Sequence, residues 1–308
     1  MKNKRILITG ACGFIGSHLV EKLSPDNSVV GVDNFYLAKR EMLGLLDKKF
    51  TTFIEGDVAR KETFSKIPRD IDFIIHLAAP SSKEMFKTDP NGSLTNVVNG
   101  AINTFEFAKV NEVEKVVYPS SGSIYARNEL NHGIDPYPLP SNLYGASKVV
   151  IEAIASTYAP DVHTLGLRIF TGYGPGEERK KEIASLACIF AQSLLSGESP
   201  ILHGDGMQSR DFIYIDDIVL AMIKAAEIGY TGHMDLGTGN STTYIDLITM
   251  LCDIIGVDIA PTHIPKEKNY VEAVLANTAV MRKELGIVPL PIREGLERFV
   301  DYLKNKKS

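Results

Sequence analysis

The chain has 308 residues, 44% of them hydrophobic, which is enough apolar material for one large core or two of moderate size. Its formal net charge is −5 with the two signs interspersed, which argues against a nucleic-acid-binding protein. The first apolar run ends at Gly10, far short of a signal-peptide core or a membrane span. We therefore expect a cytoplasmic protein without a membrane partner.

Apolar runs rich in β-branched residues alternate with segments of helical spacing through the first half of the chain. The predicted strands are 4–10, 28–33, 51–57, 72–79, 114–121 and 163–170. The predicted helices between them are 14–23, 94–111 and 142–158. Strands that are apolar on both faces and alternate with helices predict a parallel sheet that helices cover on both sides.

The pattern changes at GYGPGEERKK (172–181), a Gly/Pro turn followed by charge. Beyond it the predicted helices are 183–196, 216–228, 243–255 and 292–304, with only short strands between them. We therefore predict an α/β protein with two parts, a doubly wound parallel sheet over 1–172 and a smaller, mostly helical substrate lobe over 173–308. Segments of the second part are expected to return to the main sheet.

Cysteine and histidine usage gives no sign of a metal site. Three widely separated cysteines fit a reducing compartment and are interpreted as packing residues: Cys12, Cys188 and Cys252. Three histidines beside apolar runs are interpreted in the same way: His76, His163 and His203. No cluster of histidine, cysteine and acidic residues has metal-ligand spacing, so we predict no metal.

The glycine-rich segment TGACGFIG (9–16) joins the first predicted strand to the first predicted helix. Gly10 allows a tight turn, Gly13 lets the backbone approach a pyrophosphate, and Gly16 permits close helix packing. The helix N-terminus offers free N–H groups and the positive end of its dipole. The pattern predicts a Rossmann-type dinucleotide-binding sheet, and a glycine turn without a ligand is the structural alternative.

Asp33 closes the second predicted strand about twenty residues after the glycines, where an acid accepts hydrogen bonds from the adenosine ribose. A carboxylate at this position repels a 2′-phosphate. The nearest basic residues along the chain, Lys39 and Arg40, follow only several residues later. The sequence therefore predicts NAD, and not NADP, as the cofactor.

Further motifs follow in order along almost the whole chain. They are VDN (32–34), GDV (56–58), HLAA (76–79), NVVNG (96–100), SSGSIY (120–125), YGASK (144–148), RIFTGYGPG (168–176) and QSRDFIYIDDI (208–218). Together with TGACGFIG, this series resembles the extended short-chain dehydrogenase/reductase family. Within that family it is similar to the NAD-dependent nucleotide-sugar epimerases and dehydratases of the UDP-glucose 4-epimerase type.

The resemblance implies a set of cofactor-binding residues. The pyrophosphate is expected on the glycine turn, the adenosine ribose on Asp33 and Asn34, the adenine beside Asp57, and the nicotinamide side near Asn96. The full expected set is Gly10, Gly13, Phe14, Ile15, Gly16, Asp33, Asn34, Asp57, Val58, Leu77, Ala78, Ala79, Asn96, Tyr144 and Lys148.

Tyr144 and Lys148 lie one turn apart on one face of a predicted helix. This spacing alone also fits an ordinary amphipathic helix. The resemblance implies that the two residues form the acid/base pair and that Ser121 is the catalytic serine. Because a tyrosine with a pKa near ~10 is a poor base, we expect Lys148 and the oxidised nicotinamide to lower the pKa of the Tyr144 phenol.

The resemblance also implies contacts with a nucleotide sugar. Arg210 is the expected bidentate partner of a substrate phosphate. Ser121, Ser123 and Thr171 complete the expected substrate-binding set. Thr171 stands where related enzymes commonly carry an asparagine, and in the segment 265–273 a lysine is expected to replace the usual arginine.

The residues after Ser121 favour one reaction of the family. Dehydratases usually carry an Asp-Glu pair where this chain has Gly122 and Ser123, and decarboxylating relatives rely on a nearby glutamate. We therefore expect a UDP-sugar 4-epimerase, acting on glucose/galactose or their N-acetyl forms through a transient 4-keto sugar. The alternatives are a dehydratase, a reductase or dehydrogenase, and a non-catalytic NAD-binding regulator. Family members often pair the helices here at 94–111 and 144–159, so a homodimer is expected.

Overall fold

The computed structural model describes residues 1–125, 139–266 and 271–307. The strands are β1 (Arg5–Thr9), β2 (Ser28–Asp33), β3 (Thr52–Glu55), β4 (Phe73–His76), β5 (Lys115–Ser121), β6 (Thr164–Ile169), β7 (Thr171–Tyr173), β8 (Ile201–His203), β9 (Ser209–Arg210), β10 (Phe212–Tyr214), β11 (Gly232–Leu236), β12 (Thr242–Thr243), β13 (Thr262–Ile264) and β14 (Ala273–Val274). The helices are α1 (Phe14–Leu23), α2 (Glu41–Leu46), α3 (Lys61–Phe64), α4 (Lys83–Thr88), α5 (Pro90–Val110), α6 (Leu143–Tyr158), α7 (Leu186–Leu195), α8 (Ile215–Glu227), α9 (Tyr244–Ile255), α10 (Ala279–Leu285) and α11 (Ile292–Lys307). Short 3₁₀ turns include Gly122–Tyr125 and Glu177–Ile183.

The central layer is a seven-stranded sheet in the order β11-β6-β5-β4-β1-β2-β3, and its neighbouring strands pair in parallel. The prediction of a Rossmann-type parallel sheet is thereby confirmed. The seventh strand, β11, comes from the second half of the chain and pairs with β6 at one edge. The division of the chain at residue 172 stays a prediction.

Alternate residues of the strands pack into separate cores on the two faces of the sheet. Ile6 and Ile8 of β1 belong to the core cluster that also contains residues of α1 and α8. Leu7, between them, belongs to the cluster formed with α5 and α6. Because side chains of a strand alternate in direction, a strand that is apolar throughout is buried on both faces, as the sequence predicts.

The sheet changes its direction of growth at β1. From β1 the chain adds β2 and β3 on one side, and then β4, β5 and β6 on the other. In sheets of this kind ligands bind outside the carboxyl ends of the strands at the switch point. The ends of β1, β4 and β5 lie at this edge, and they carry the glycine turn, the Leu77–Ala79 loop and Ser121.

The second half of the chain adds small sheets and further helices, and it also contributes α8 to one face of the main sheet. β7 pairs with β10, β8 with β13, and β9 lies between β12 and β14. α7 and α9 pack their apolar residues into the cluster that also holds α1 and α8. In the described part of the chain, no helix combines the length and the apolar character that crossing a bilayer requires.

Candidate active site

The glycine turn has the backbone geometry of a phosphate cradle. Gly10 has φ +68°, a conformation that L side chains rarely adopt. A Cβ on Gly16 would lie 2.1 Å from the carbonyl oxygen of Gly10, so only glycine lets α1 approach the turn this closely. α1 begins at Phe14, and no side chain of the described residues caps it. Its first N–H groups therefore face the space where an anion would bind.

Asp33 lies at the end of β2 with its carboxylate held in place by the backbone. Oδ2 accepts a hydrogen bond from the Cys12 N–H at 2.9 Å, and Oδ1 accepts one from the Phe35 N–H at 2.8 Å. Burial raises the pKa of Asp33, and these hydrogen bonds oppose the shift. The carboxyl group is thus rigid and still lines the cavity beside the glycine turn.

Arg40 is the nearest arginine after Asp33, and a carboxylate already holds it. Its Nη1 donates to Glu55 Oε2 at 2.8 Å, and its Nη2 donates to the other carboxylate oxygen. The guanidinium carbon also lies 4.7 Å from the centre of the Phe35 ring. Because the guanidinium N–H groups of Arg40 already bind Glu55, they are not available to a 2′-phosphate. This agrees with a preference for NAD.

Asp57 and Asn96 meet at the same cavity. The amide of Asn96 donates to Asp57 Oδ1 at 3.1 Å, and the Ala59 N–H donates to the same oxygen at 2.9 Å. Asn96 thus contacts the residue that the resemblance assigns to adenine. Its expected position beside the nicotinamide stays a prediction.

A single cavity of about 730 Å³ joins these features to the proposed catalytic residues. It is lined by every residue of the expected cofactor set, from Gly10 to Lys148, and by Ser121. It is a continuous space along the carboxyl edge of the sheet. The lining residues suit an extended dinucleotide that runs from Asp33 to Tyr144. The glycine turn, which would bind the pyrophosphate, lies between the acid expected to bind the ribose and the tyrosine.

Tyr144, Lys148 and Ser121 come together at the end of β5. The Asn142 side chain accepts a hydrogen bond from the Gly145 N–H at 3.0 Å and so fixes the start of α6. The Lys148 ammonium lies 5.5 Å from the centre of the Tyr144 ring. Ser121 hydrogen-bonds the Tyr144 side chain. The three residues of the predicted acid/base group are therefore neighbours.

In the protein without a cofactor, the pKa of Tyr144 is raised and not lowered as expected. Burial raises it above the ordinary value of tyrosine, and the hydrogen bond with Ser121 opposes the shift. The lysine by itself does not reverse the effect of burial. The expected lowering of the phenol pKa is therefore not a property of the protein alone, and the oxidised nicotinamide is the second cation that the expectation names.

Lys148 is 3% exposed, and burial lowers its pKa to about 8. Its Nζ lies 3.5 Å from the carbonyl oxygen of Pro119. Pro119 is the one acceptor of this ammonium among the residues that the structure describes, so the buried group has capacity for further hydrogen bonds. The 2′- and 3′-hydroxyls of a nicotinamide ribose are acceptors that would match it.

His76, at the end of β4, makes hydrogen-bond contacts in addition to its packing. Its Nδ1 lies 2.9 Å from Thr9 Oγ1 and 3.1 Å from Thr104 Oγ1. Burial, and then the charge of Lys148, lowers its pKa to about 3, so the ring is neutral at physiological pH. The histidine therefore ties β1, β4 and α5 together without taking part in proton transfer.

A buried ion pair between α6 and β6 was not predicted. Glu152, two turns after Tyr144 on α6, accepts from Arg168 Nε and Nη2 at 2.8 Å each. Its Oε1 also accepts from the Ser120 hydroxyl at 2.6 Å. These bonds fasten α6 to β5 and β6 and so position Ser121 against the tyrosine. The sequence feature that could have indicated this ion pair is the glutamate eight residues after Tyr144, which lies on the same face of the helix.

Of the four expected substrate residues, Ser121 lines this cavity, whereas Ser123, Thr171 and Arg210 do not. Arg210 donates to the carbonyl oxygens of Ser209 and Val271 at 2.6 and 2.9 Å, and its guanidinium lies 5.4 Å from the Tyr244 ring centre. Thr171 pairs with Phe212 in the β7–β10 ladder. The substrate roles of Arg210 and Thr171 stay predictions.

Gly122 and Ser123 take part in the turn that follows β5. The Ser123 N–H donates to Ser121 Oγ at 3.1 Å. A Cβ on Gly122 would lie 2.9 Å from the ring of Phe170, which itself lines the cavity. Phe170, which sequence reasoning missed, therefore occupies the space that an acidic side chain at position 122 would need.

The lysine expected to replace an arginine falls in a segment that is only partly described. Residues 267–270 lie outside the described residues. Lys266, which is described, pairs with Glu272. Among the described ranges, no group of three or more histidine, cysteine or acidic residues could hold a metal ion.

Comparisons with known proteins show the family of the chain. The model of the NAD dependent epimerase/dehydratase family matches residues 6–237. A UDP-glucose 4-epimerase of Mycolicibacterium smegmatis is 31% identical over 99% of this chain and 100% of its own length. The solved structure of a UDP-N-acetylglucosamine 4-epimerase from Methanobrevibacter ruminantium has a TM-score of 0.93 at 30% identity, covering 99% and 100% of the two chains. A Thermotoga maritima UDP-glucose 4-epimerase with UDP-glucose has a TM-score of 0.91 at 29% identity and the same coverage.

Proposed function

Because the chain belongs to the NAD-dependent epimerase/dehydratase family, we propose that it is a UDP-sugar 4-epimerase. The observation that carries the proposal is the meeting of Tyr144, Lys148 and Ser121 at the end of a cavity that begins at the glycine turn. This arrangement places a proton acceptor, a cation and a hydroxyl at one point. Those are the groups that oxidation of a sugar alcohol requires.

The proposed mechanism uses few side chains. When bound, NAD⁺ supplies the hydride acceptor for C4 of the sugar and returns the hydride later. Tyr144 takes the proton of the 4-hydroxyl and gives it back after the 4-keto sugar has turned in the pocket. Ser121 holds the oxygen in line with the phenol. Lys148 supplies the positive charge that favours the phenolate, and its ammonium holds the nicotinamide ribose.

Gly122 supports epimerisation over dehydration. Elimination of water needs acidic groups beside the sugar, and the resemblance places them at 122 and 123. Phe170 fills the space beside Gly122, and the Ser123 backbone is bonded to Ser121. With no acid at these positions, the 4-keto sugar is reduced again at C4.

UDP-glucose and UDP-galactose, or their N-acetyl forms, are the substrates that we propose. The support is the similarity to relatives that are 4-epimerases of UDP-glucose and of UDP-N-acetylglucosamine. The discriminating experiment is incubation with UDP-galactose without added NAD, followed by separation of the products. We expect UDP-glucose to form with no net absorbance change at the NADH band. Steady NADH accumulation, or a 4-keto-6-deoxy product, would contradict the proposal.

We also propose a cytoplasmic homodimer that pairs α5 and α6 of two chains into a four-helix bundle. Val149, Val150 and Ile154 on α6 are half-buried apolar residues within one chain. Leu143, at the start of the same helix, is 47% exposed. Light scattering should give twice the 33.8 kDa of one chain, and the mass of a single chain would contradict the pairing.

A further inference from the structure

A segment of the second half, residues 175–181, lies directly against the helix that begins at the glycine turn. His18 Nε2 donates to the carbonyl oxygen of Pro175 at 2.8 Å. The Lys180 ammonium lies 4.4 Å from the centre of the Phe14 ring, which is a cation–π distance. Two independent contacts thus hold this segment against the first two turns of α1.

The two glutamates of this segment bind residues outside it and also lie near its cations. Glu177 is buried and accepts hydrogen bonds from the Ser185 N–H and hydroxyl at 2.7 and 2.8 Å. Glu178 accepts from the Tyr302 hydroxyl at 3.1 Å and pairs with Lys306. Glu177 is therefore held by the N-cap of α7 and Glu178 by α11, while the two carboxylates also lie 3.6 Å from Lys180 Nζ and 4.0 Å from Arg179 Nε, respectively. The cavity is lined instead by the three following cations, Arg179, Lys180 and Lys181.

The position of the two leading cations is well defined. Lys180 Nζ lies 3.6 Å from Glu177 Oε1, so a buried carboxylate holds the ammonium at the cavity wall. A Cβ on Gly176 would lie 3.4 Å from Arg179 Nη1 and 3.6 Å from His18 Nε2, which places the guanidinium beside α1. Both cations are therefore close to the glycine turn.

We propose that Arg179 and Lys180 bind the diphosphate of the dinucleotide, from the side opposite the backbone N–H groups of the glycine turn. This inference rests on the proposed function and deepens it. A planar guanidinium and an ammonium are the side chains that pair best with phosphate oxygens. An epimerase must keep its reduced cofactor until the sugar has turned, and a diphosphate held on two sides dissociates slowly.

The location favours the diphosphate of the cofactor over that of the nucleotide sugar. Lys180 contacts Phe14, the residue that begins α1 directly after Gly13. The arginine expected to bind the substrate phosphate, Arg210, lies among β9, β14 and α9 and does not line this cavity. The two arginines thus belong to different ends of the ligand space.

The test is a calorimetric titration of nucleotide-free enzyme with NAD⁺, with adenosine and with UDP-galactose. The variants are Lys180→Met, which keeps the apolar stem over Phe14, and Arg179→Met. Lys22→Met, on the last turn of α1, is the matched control, because it removes one positive charge from the same helix at its far end. Lys180→Arg tests whether charge alone is sufficient.

Loss of one charge-assisted phosphate contact should raise the Kd for NAD⁺ about tenfold in each of the first two variants. We expect adenosine binding to stay unchanged, the Lys22→Met protein to bind NAD⁺ normally, and Lys180→Arg to recover most of the affinity. Unchanged NAD⁺ affinity in both variants would overturn the inference, and so would a loss confined to UDP-galactose. Epimerase activity at saturating NAD⁺ is measured separately. A failure of diphosphate binding by Arg179 and Lys180 is therefore distinguishable from a failure of the proposed function.

Discussion

Replacing Tyr144 with phenylalanine should lower the rate of UDP-galactose conversion about 10³-fold, because the substitution removes the group that accepts the 4-hydroxyl proton. The ring packs against Phe86, with centroids 6.0 Å apart, and a phenylalanine keeps that contact. NAD⁺ binding and the thermal unfolding temperature should therefore change little. Turnover and NAD⁺ affinity measured on the same preparation separate a chemical loss from a folding loss.

Tyr158 provides the matched control on the same helix. Its hydroxyl donates to Glu106 at 2.6 Å, at the far end of α6 from the cavity. Tyr158→Phe removes one phenol hydroxyl and should leave turnover within a factor of about two. Equal activity of the Tyr144→Phe variant and the wild-type protein would remove the acid/base role and favour a non-catalytic NAD-binding protein.

Replacing Lys148 with methionine should abolish turnover and at the same time stabilise the fold. The side chain is buried, and its pKa falls from 10.5 to about 8 because burial disfavours the ammonium. At neutral pH the folded protein therefore carries a buried charge that a methionine would not. The free energy of unfolding should rise by roughly 2–3 kcal/mol, measured by urea denaturation of nucleotide-free protein. A functional group that costs stability in this way is common at active sites.

The stability gained by the Lys148→Met substitution should decrease as the pH rises. Below about pH 8, Lys148 is protonated in both the folded and the unfolded protein, so the full cost of burial is present. Between about pH 8 and 10.5 the folded protein has released the proton while the unfolded chain still binds it. The wild-type protein therefore becomes more stable relative to the variant as the pH rises, and the difference shrinks.

Lys115 is the control for this prediction. Burial lowers its pKa to about 8 as well, yet its ammonium donates to the carbonyl oxygens of Ile228 and Tyr230 at 2.5 and 2.6 Å. Lys115→Met leaves those carbonyl groups without their partner, so it should not stabilise the protein, and turnover should persist. A Lys148→Met protein that is less stable than wild type at pH 7 would contradict the account of a buried, poorly compensated ammonium.

Local pattern predicted the parallel sheet, and the expected cofactor residues that it named line one cavity in the structure. The strand ending at Thr9, the glycines from Gly10 to Gly16 and the acid at Asp33 follow one another within a single βαβ unit. Their relative positions are set by short-range geometry, so spacing along the chain is informative. Tyr144 and Lys148 share a helix face for the same reason.

Contacts between distant parts of the chain were not predictable from the sequence. Phe170 lies against Gly122, and Lys180 lies on Phe14, although 48 and 166 residues separate the members of each pair. The partner of such a residue depends on the tertiary arrangement of whole elements. The charged run after GYGPG was therefore interpreted as a boundary, while in the fold its cations line the cavity.

The effect of burial on the catalytic groups also needed the structure. From the sequence, Lys148 is a cation that lowers the pKa of its neighbour. In the fold, burial raises the pKa of Tyr144 and lowers that of Lys148, so the two shifts oppose formation of the phenolate–ammonium pair. In the proposed mechanism the positive nicotinamide ring therefore completes the base, which couples cofactor binding to proton transfer.

The fate of the hydrogen at C4 tests the central claim most directly. UDP-galactose carrying deuterium at C4 is incubated with the wild-type enzyme in ordinary water, without added NAD. If one enzyme-bound cofactor removes the hydride and returns it to the opposite face, the UDP-glucose formed keeps its deuterium at C4. Product that has exchanged this deuterium for solvent hydrogen, or no product at all, would contradict the account.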